Sequence, residues 1–170
     1  EIHGGPMMMY GHAFFFEFQL TAAEGFGVAF SNPRGSQGYG EDFCTVIAKE
    51  WGKKDYDDVM AVRKRALRRH KWIDEKLFSV AGGSYGGFMT AWIIGHTEKF
   101  KAAICSRPVI HWAAMAGTSD GNWAWLRRFD MIAPWDDDKA YKQQSPYSYI
   151  SNVVTPVLIE VQEGDLRCPF

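Results

Sequence analysis

The sequence has little of what marks a membrane-spanning, secreted or nucleic-acid-binding protein. None of its apolar runs reaches the roughly 18 residues that a membrane span needs, and its first residues, Glu1–Gly5, do not resemble a basic leader ahead of an apolar core. The net charge is −1 over 170 residues, so neither nucleic acid nor a membrane is expected as a partner. The basic run at 63–71 is interpreted as a solvated helix end.

Cysteine is scarce, because only Cys44, Cys105 and Cys168 are present, and they are far apart. No Cys-x-x-Cys pair exists to suggest a metal centre or a dithiol redox site. An odd number of dispersed cysteines predicts free thiols, buried or half-buried, in a reducing, cytoplasmic compartment. No metal ion and no cofactor is predicted, and the sequence does not indicate an oligomeric state.

What the sequence does have is enough apolar and aromatic residues for one well-packed domain, 46% and 15% of the chain. Predicted helices and strands alternate, which is typical of α/β proteins with a mostly parallel sheet and helices on both faces. Residues 111–138 are predicted to be loop with short helical pieces, in which Trp123 and Trp125 either line a substrate pocket or pack. The predicted helices are Ala13–Glu24, Asp55–His70 and Ser84–Gly95, and the predicted strands are Phe26–Phe30, Leu77–Ala81, Lys101–Cys105 and Thr155–Val161.

The strongest functional signal is Gly82–Gly87, which reads GGSYGG and fits the pattern Gly-x-Ser-x-Gly. A predicted strand precedes it and a predicted helix follows it, the context in which this motif forms a nucleophile elbow. Such a turn exposes one serine hydroxyl above the strand ends, which makes Ser84 the candidate nucleophile of an acyl transfer. The plain alternative is a glycine-rich strand-to-helix turn that carries a bystander serine.

Two further segments fit the needs of such a serine. His3–Pro6 (HGGP) ends an apolar strand in a glycine-rich loop, which suits one half of an oxyanion hole, and the N–H of Tyr85 suits the other half. The alternative for HGGP is an ordinary Gly-Pro turn. Asp165 follows the last predicted strand, where the acid belongs in a triad of the order Ser, Asp, His. On spacing alone, a solvated loop acid explains Asp165 equally well.

Together, these segments resemble the catalytic domain of the prolyl oligopeptidase family of serine peptidases, and above all its acylaminoacyl-peptidase-like branch. The resemblance runs nearly end to end. The matching segments are His3–Pro6 (HGGP), Asn32–Gly40 (NPRGSQGYG), Trp51–Asp58 (WGKKDYDD), Gly82–Thr90 (GGSYGGFMT), Phe100–Pro108 (FKAAICSRP), Gly117–Asp120 (GTSD), Ser145–Pro146 and Asp165–Pro169 (DLRCP).

The resemblance implies a role for each site residue. Ser84 matches the nucleophile and Asp165 the triad acid, while the N–H groups of Gly5 and Tyr85 match the oxyanion donors. Arg167 matches an arginine that binds a backbone carbonyl of the peptide near the scissile bond, its alternative being an ordinary surface arginine. The implied activity is hydrolysis of short peptides, N-acylated ones among them, through an acyl-enzyme. A carboxylesterase or lipase of the same fold and a non-catalytic relative are the alternatives.

The sequence also departs from the family pattern. Val161-Gln162 stands where relatives carry His-Gly, and Glu160 places a carboxylate in an apolar strand, where burial is expected to make it neutral or paired. All five histidines precede Asp165, and none matches the triad histidine. Residues 1–170 are therefore expected to be a partial α/β-hydrolase domain, without the first strands, the triad histidine or the β-propeller of relatives. Alone, this chain is expected to fold poorly and to be inactive.

Overall fold

A three-stranded parallel sheet lies at the centre of the protein. The computed structural model describes residues 1–122, 124, 126 and 132–169, so Trp123 and Trp125 lie outside the described residues. The chain order and the spatial order of the strands are the same. The strands are β1 (Val80–Gly83), β2 (Ala103–Ser106) and β3 (Val157–Glu160).

The register of the sheet brings the carboxyl ends of all three strands to one edge. Gly83 at the end of β1 pairs with Ser106 at the end of β2, and Ser106 pairs with Glu160 at the end of β3. On the other side of β1, Ile2 forms a single parallel bridge to Gly82. The predicted α/β fold with a parallel sheet is confirmed, and the strand ends collect at the edge where such folds place their sites.

The strands begin later than the sequence predicts. Leu77, the predicted start of β1, belongs instead to a 3₁₀ helix at Glu75–Leu77. The side chain of Asp74 caps this turn by accepting a hydrogen bond from the N–H of Lys76 (2.8 Å). Since the turn uses these residues, the extended conformation starts only afterwards, and β1 begins at Val80.

The predicted strand at Phe26–Phe30 is wrong, because the structure has no regular strand there. The amino group of Glu1 donates to the carbonyl oxygen of Ala29 (2.8 Å), but among the described residues no ladder of backbone hydrogen bonds joins this segment to a neighbour. A strand depends on such a ladder with a neighbour, so the apolar run of this segment alone does not produce one.

The predicted helices are present with shifted ends, and two helices that were not predicted are found at Glu41–Thr45 and Asp138–Gln144. Asp55 and Asp57 lie in the first turn of the helix Lys54–Arg69, where a negative charge interacts favourably with the helix dipole and stabilises the helix. Both of the helices that were not predicted are short, and Asp137 caps the second by accepting from the N–H of Ala140 (3.0 Å). No helix of the described residues is long and apolar enough to cross a membrane. The described helices are α1 (Phe16–Ala23), α2 (Glu41–Thr45), α3 (Lys54–Arg69), α4 (Tyr85–His96), α5 (Trp112–Thr118) and α6 (Asp138–Gln144), with a further 3₁₀ helix at Pro146–Asn152.

Helix α4 forms the centre of the hydrophobic core. Phe88, Met89 and Ile93 have no exposed surface, and the helix packs against β1 and β2 and against the 3₁₀ helix Pro146–Asn152. Trp51 meets Trp112 edge to face, with ring centroids 4.8 Å apart, beside Phe88. A helix that is apolar on nearly every face belongs in the interior, and this one carries the GGSYGG turn at its start.

Strand β3 lies at the edge of the sheet, and all four of its residues are exposed. The expectation that Glu160 is buried is therefore wrong. Its carboxylate accepts a hydrogen bond from the hydroxyl of Ser106 on β2. Water reaches this strand, so Glu160 does not carry the desolvation cost that an interior position would impose.

The three cysteines are buried and form no disulfide, as predicted. Burial raises the pKa of the Cys105 thiol to about 12. A thiol with so high a pKa stays protonated near neutral pH and is a weak nucleophile, so Cys105 acts as a small apolar residue of the core.

Candidate active site

Ser84 lies at the junction between β1 and α4, where the chain turns from strand to helix. Its φ of 59° and ψ of −117° fall in a region that few residues other than glycine adopt, at a cost of about 1–3 kcal/mol. The N–H of Ser84 donates to the carbonyl oxygen of Ser106 on β2 (3.0 Å), which helps to hold this conformation. Ser84 is half-buried, in the strand–turn–helix context that the sequence predicts.

Gly86 allows the first turn of α4 to approach the amino-terminal segment of the chain. A Cβ atom at this position would lie 2.1 Å from the carbonyl oxygen of Ile2 and 3.0 Å from that of His3. Only glycine fits such a contact without displacing the backbone. The close approach sets the start of the HGGP loop directly against the turn that carries Ser84.

The HGGP loop runs beside the predicted nucleophile. A Cβ atom on Gly4 would lie 3.7 Å from the Cβ atom of Ser84 and 3.5 Å from the carbonyl oxygen of Gly83. Gly5 has a φ of 123°, and a Cβ there would come within 2.6 Å of the nitrogen of Met7, so glycine is required. The structure thus places the two segments that the sequence pairs for an oxyanion hole next to each other.

His3 links the HGGP loop to the segment Asn32–Gly40. Its Nδ1 lies 2.6 Å from the carbonyl oxygen of Gly4, and its Nε2 lies 2.8 Å from Oγ of Ser36. Burial lowers the pKa of His3, and the contact with Gly4 opposes this in part. Both ring nitrogens are engaged within the scaffold, so His3 has no ring nitrogen left to act as a base on Ser84.

The side chain of Tyr85 points into the core and ends on a buried carboxylate. Its hydroxyl donates to Oδ2 of Asp55 (2.7 Å), and the N–H groups of Gly52 and Tyr56 donate to Oδ1 of Asp55 (2.9 and 3.0 Å). Burial is the largest cause that raises the pKa of both side chains. No sequence signal indicated this contact between Asp55 and Tyr85.

Asp165 organises the loop that follows β3. Its Oδ1 accepts hydrogen bonds from the N–H groups of Arg167 and Cys168, both at 2.9 Å. This turn places Sγ of Cys168 3.7 Å from Oγ of Ser84. Burial raises the pKa of Cys168. The Asp165 loop therefore reaches the predicted nucleophile through Cys168, a contact that no sequence signal indicated.

Arg167 forms an ion pair with Asp120 of the GTSD segment. Its Nε donates to Oδ1 of Asp120 (2.6 Å), and its Nη2 lies 3.5 Å from Oδ2. The hydroxyl of Ser119 also donates to the carbonyl oxygen of Arg167 (2.7 Å). The hydrogen bond from Arg167 is the largest cause that lowers the pKa of Asp120. Since 58% of the Arg167 side chain is exposed, N–H groups that do not face Asp120 remain accessible for a ligand.

Two elements of a hydrolytic site are absent from the part of the chain that the structure describes. No described histidine hydrogen-bonds to Ser84, and the contact recorded for its hydroxyl is with Cys168. No cluster of three or more His, Cys, Asp or Glu side chains among these residues could hold a metal ion. The arrangement supplies a strained, half-buried serine beside a glycine-rich loop, without a base of its own.

Comparison with known proteins gives a consistent result. The model of the prolyl oligopeptidase family of peptidases matches residues 12–170. An uncharacterized peptidase of Bacillus subtilis, YuxL, is 47% identical over 173 residues, which cover the whole of this chain and 26% of that protein.

Solved structures show the same likeness. The acylaminoacyl peptidase of Pyrococcus horikoshii superimposes with a TM-score of 0.95 at 33% identity, over 99% of this chain and 27% of that one. A structure of acylaminoacyl peptidase in complex with Z-Gly-Gly-Phe-chloromethyl ketone gives a TM-score of 0.95 at 34% identity, with the same coverage. The chain thus spans about a quarter of the length of the proteins that it matches.

Proposed function

Because the chain belongs to the prolyl oligopeptidase family, we propose that it is part of a serine peptidase that hydrolyses short peptides, N-acylated ones among them. The observation that carries the proposal is the position of Ser84, at a φ of 59° between β1 and α4 and beside the HGGP loop. The similarity to acylaminoacyl peptidases supports this substrate class, and one of them was solved with a peptide-derived chloromethyl ketone.

In the proposed reaction, Oγ of Ser84 attacks the carbonyl carbon of the scissile bond while its proton passes to a histidine base. The N–H groups of Gly5 and Tyr85 stabilise the oxyanion that forms. The proton then goes to the leaving amine, and water hydrolyses the acyl-enzyme to regenerate Ser84. Asp165 orients the base, which we place outside residues 1–170, in the remainder of a domain of which this chain is a part.

Arg167 is proposed to bind a backbone carbonyl of the peptide. Its ion pair with Asp120 supports this role, because it fixes the direction of an exposed guanidinium group near the Asp165 loop. A peptide presents such a carbonyl next to the scissile bond, whereas a small aryl ester does not. Arg167 therefore offers a way to separate a peptidase from an esterase that uses the same elbow.

Replacement of Arg167 by methionine tests that assignment in the complete gene product. We expect kcat/KM for a peptide substrate to fall about 10- to 100-fold, the value of one lost charge-assisted hydrogen bond. Hydrolysis of a p-nitrophenyl ester is expected to stay nearly unchanged. The matched control is Lys142→Met, which removes an exposed cation that pairs with Asp138. Equal losses on the two substrates would show that Arg167 acts only on the structure of the loop.

The proposed function as a whole is tested by labelling with a fluorophosphonate. Mass spectrometry of the labelled complete gene product is expected to find the adduct on Ser84. The 170-residue chain produced alone is expected to react about 10²–10⁴-fold more slowly, because its serine has no positioned base. Rapid, stoichiometric labelling of the isolated chain would contradict the assignment of the base to another part of the protein.

We further propose that the protein resides in the cytoplasm. The support is the set of three buried thiols without a disulfide, a pattern that suits a reducing compartment. Fractionation of the cells that produce the protein tests this proposal directly. Recovery of the activity from the extracellular fraction would overturn it.

A further inference from the structure

The carboxylate of Asp55 occupies a position that is costly for an acid. Its side chain has no exposed surface, and it forms no ion pair with any residue that the structure describes. A buried carboxylate without a cation is stabilised only by the hydrogen bonds that it accepts. Nearby donors are the N–H groups of Gly52, just before α3, and of Tyr56 within it, and a donor on another element is the hydroxyl of Tyr85.

Tyr85 connects this carboxylate to the predicted site. It is the first residue of α4 and follows Ser84 directly. The N–H of a first helical residue has no partner within its helix, and here it is the proposed oxyanion donor. Its ring is 1% exposed and lies between Trp51 and Phe88, at centroid distances of 5.1 and 6.0 Å. The packed ring therefore connects Asp55 rigidly to the backbone beside Ser84.

Contacts from different directions support the elbow. On β2, the carbonyl oxygen of Ser106 accepts a hydrogen bond from the N–H of Ser84. Before the HGGP loop, the backbone of Ile2 packs against Gly86. A further support is the hydrogen bond between Tyr85 and Asp55, which reaches the elbow from α3 through the side chain of the proposed donor residue itself.

We propose that Asp55 is a positioning residue for this site. By accepting a hydrogen bond from the hydroxyl of Tyr85, Asp55 fixes the position and orientation of the first turn of α4. The direction of the Tyr85 N–H and of Oγ of Ser84 follows from that orientation. The proposal rests on the proposed function, since it assigns a purpose to the same elbow. Its effect is exerted in the transition state, where the oxyanion forms, rather than in substrate binding.

The test uses the complete gene product with Asp55→Ala, Tyr85→Phe and the double variant. Both single variants are expected to lower kcat about tenfold, less than the 100-fold or more that follows the loss of a whole oxyanion donor. KM is expected to stay unchanged, for a peptide and for a p-nitrophenyl ester alike. The double variant is expected to be no worse than the poorer single variant, because both remove the same contact.

Two controls separate positioning from stability. Ile93→Val removes a buried methyl group further along α4 and is expected to lower the melting temperature while kcat is retained. Asp57→Ala removes the same group from an exposed residue of α3. It is expected to retain kcat with little change in melting temperature, because the helix preference of alanine offsets the lost interaction with the helix dipole. If Asp55→Ala and Tyr85→Phe behave like Ile93→Val, or if neither variant folds, Asp55 is structural and the proposal is overturned.

Different results would refute the proposed function and the role of Asp55. Wild-type protein that hydrolyses only the ester would refute the proposed peptide substrate, while kcat on the ester would still test Asp55. Wild-type protein that hydrolyses neither substrate and resists the fluorophosphonate at Ser84 would refute both proposals. Full kcat in both variants of an active wild-type protein would refute the role of Asp55 alone.

Discussion

Replacement of Ser84 by alanine is expected to lower kcat of the complete gene product about 10⁶-fold, because it removes the atom that forms the acyl-enzyme. KM is expected to change little, since the proposed binding contacts come from Arg167 and from the backbone around the site. Steady-state kinetics on a peptide substrate measure both constants. The fluorophosphonate adduct is expected to disappear in the same variant.

Two further variants make this result specific. Ser79→Ala changes an exposed serine at the entry to β1 and is expected to retain full activity. Ser84→Gly is expected to be as inactive as Ser84→Ala but about 1 kcal/mol more stable than it, because glycine accepts a φ of 59° without strain. Near-normal activity of Ser84→Ala would exclude Ser84 as the nucleophile and would remove the basis of the peptidase proposal.

Replacement of Gly86 by alanine is expected to lower the free energy of unfolding by about 3 kcal/mol, and to impair activity with it. The new Cβ would lie 2.1 Å from the carbonyl oxygen of Ile2, so the start of the HGGP loop must move away from α4. Overpacking of a rigid contact costs about 1–3 kcal/mol or more, which exceeds the usual gain of alanine over glycine in a helix. Thermal and urea unfolding of the complete gene product measure the loss.

The matched control is Gly117→Ala in α5, where a Cβ atom would meet nothing within 4 Å. Here only the helical preference acts, so the variant is expected to be neutral or up to about 1 kcal/mol more stable. Similar stability of Gly86→Ala and Gly117→Ala would mean that the loop is not packed against the elbow as the structure has it. The proposed oxyanion hole would then lose its geometric support.

Parts of the fold follow from residues that are close together in the chain. Helix α3 was predicted from the acidic residues at its start and the basic residues toward its end, and the turn at Ser84 from the glycines around it. Both features depend on interactions within a few residues, which a single sequence displays directly. Membership of the prolyl oligopeptidase family was likewise predicted, on short segments such as HGGP and DLRCP, and the comparisons confirm it.

Strand limits could not be predicted so well, because a strand depends on its neighbour. Phe26–Phe30 has the composition of a strand but forms no ladder of hydrogen bonds with a neighbour in the structure. Leu77 belongs to a 3₁₀ helix that Asp74 caps. Glu160 appeared misplaced in an apolar run, yet it lies exposed at an edge of the sheet. In each case the conformation depended on which segment of the chain packs next to the predicted strand, and the local sequence pattern does not contain that information.

By itself, the sequence determined the local conformations at the site: the elbow at Ser84, the glycine loop at Gly5 and the acid-bearing turn at Asp165. The tertiary structure alone decided which groups meet, because these contacts join residues 30 positions apart for Asp55 and Tyr85, 47 for Asp120 and Arg167, and 84 for Ser84 and Cys168. Turns obey short-range sterics and hydrogen bonding, whereas such long-range contacts exist only once α4 has packed on the sheet and brought the strand ends to one edge.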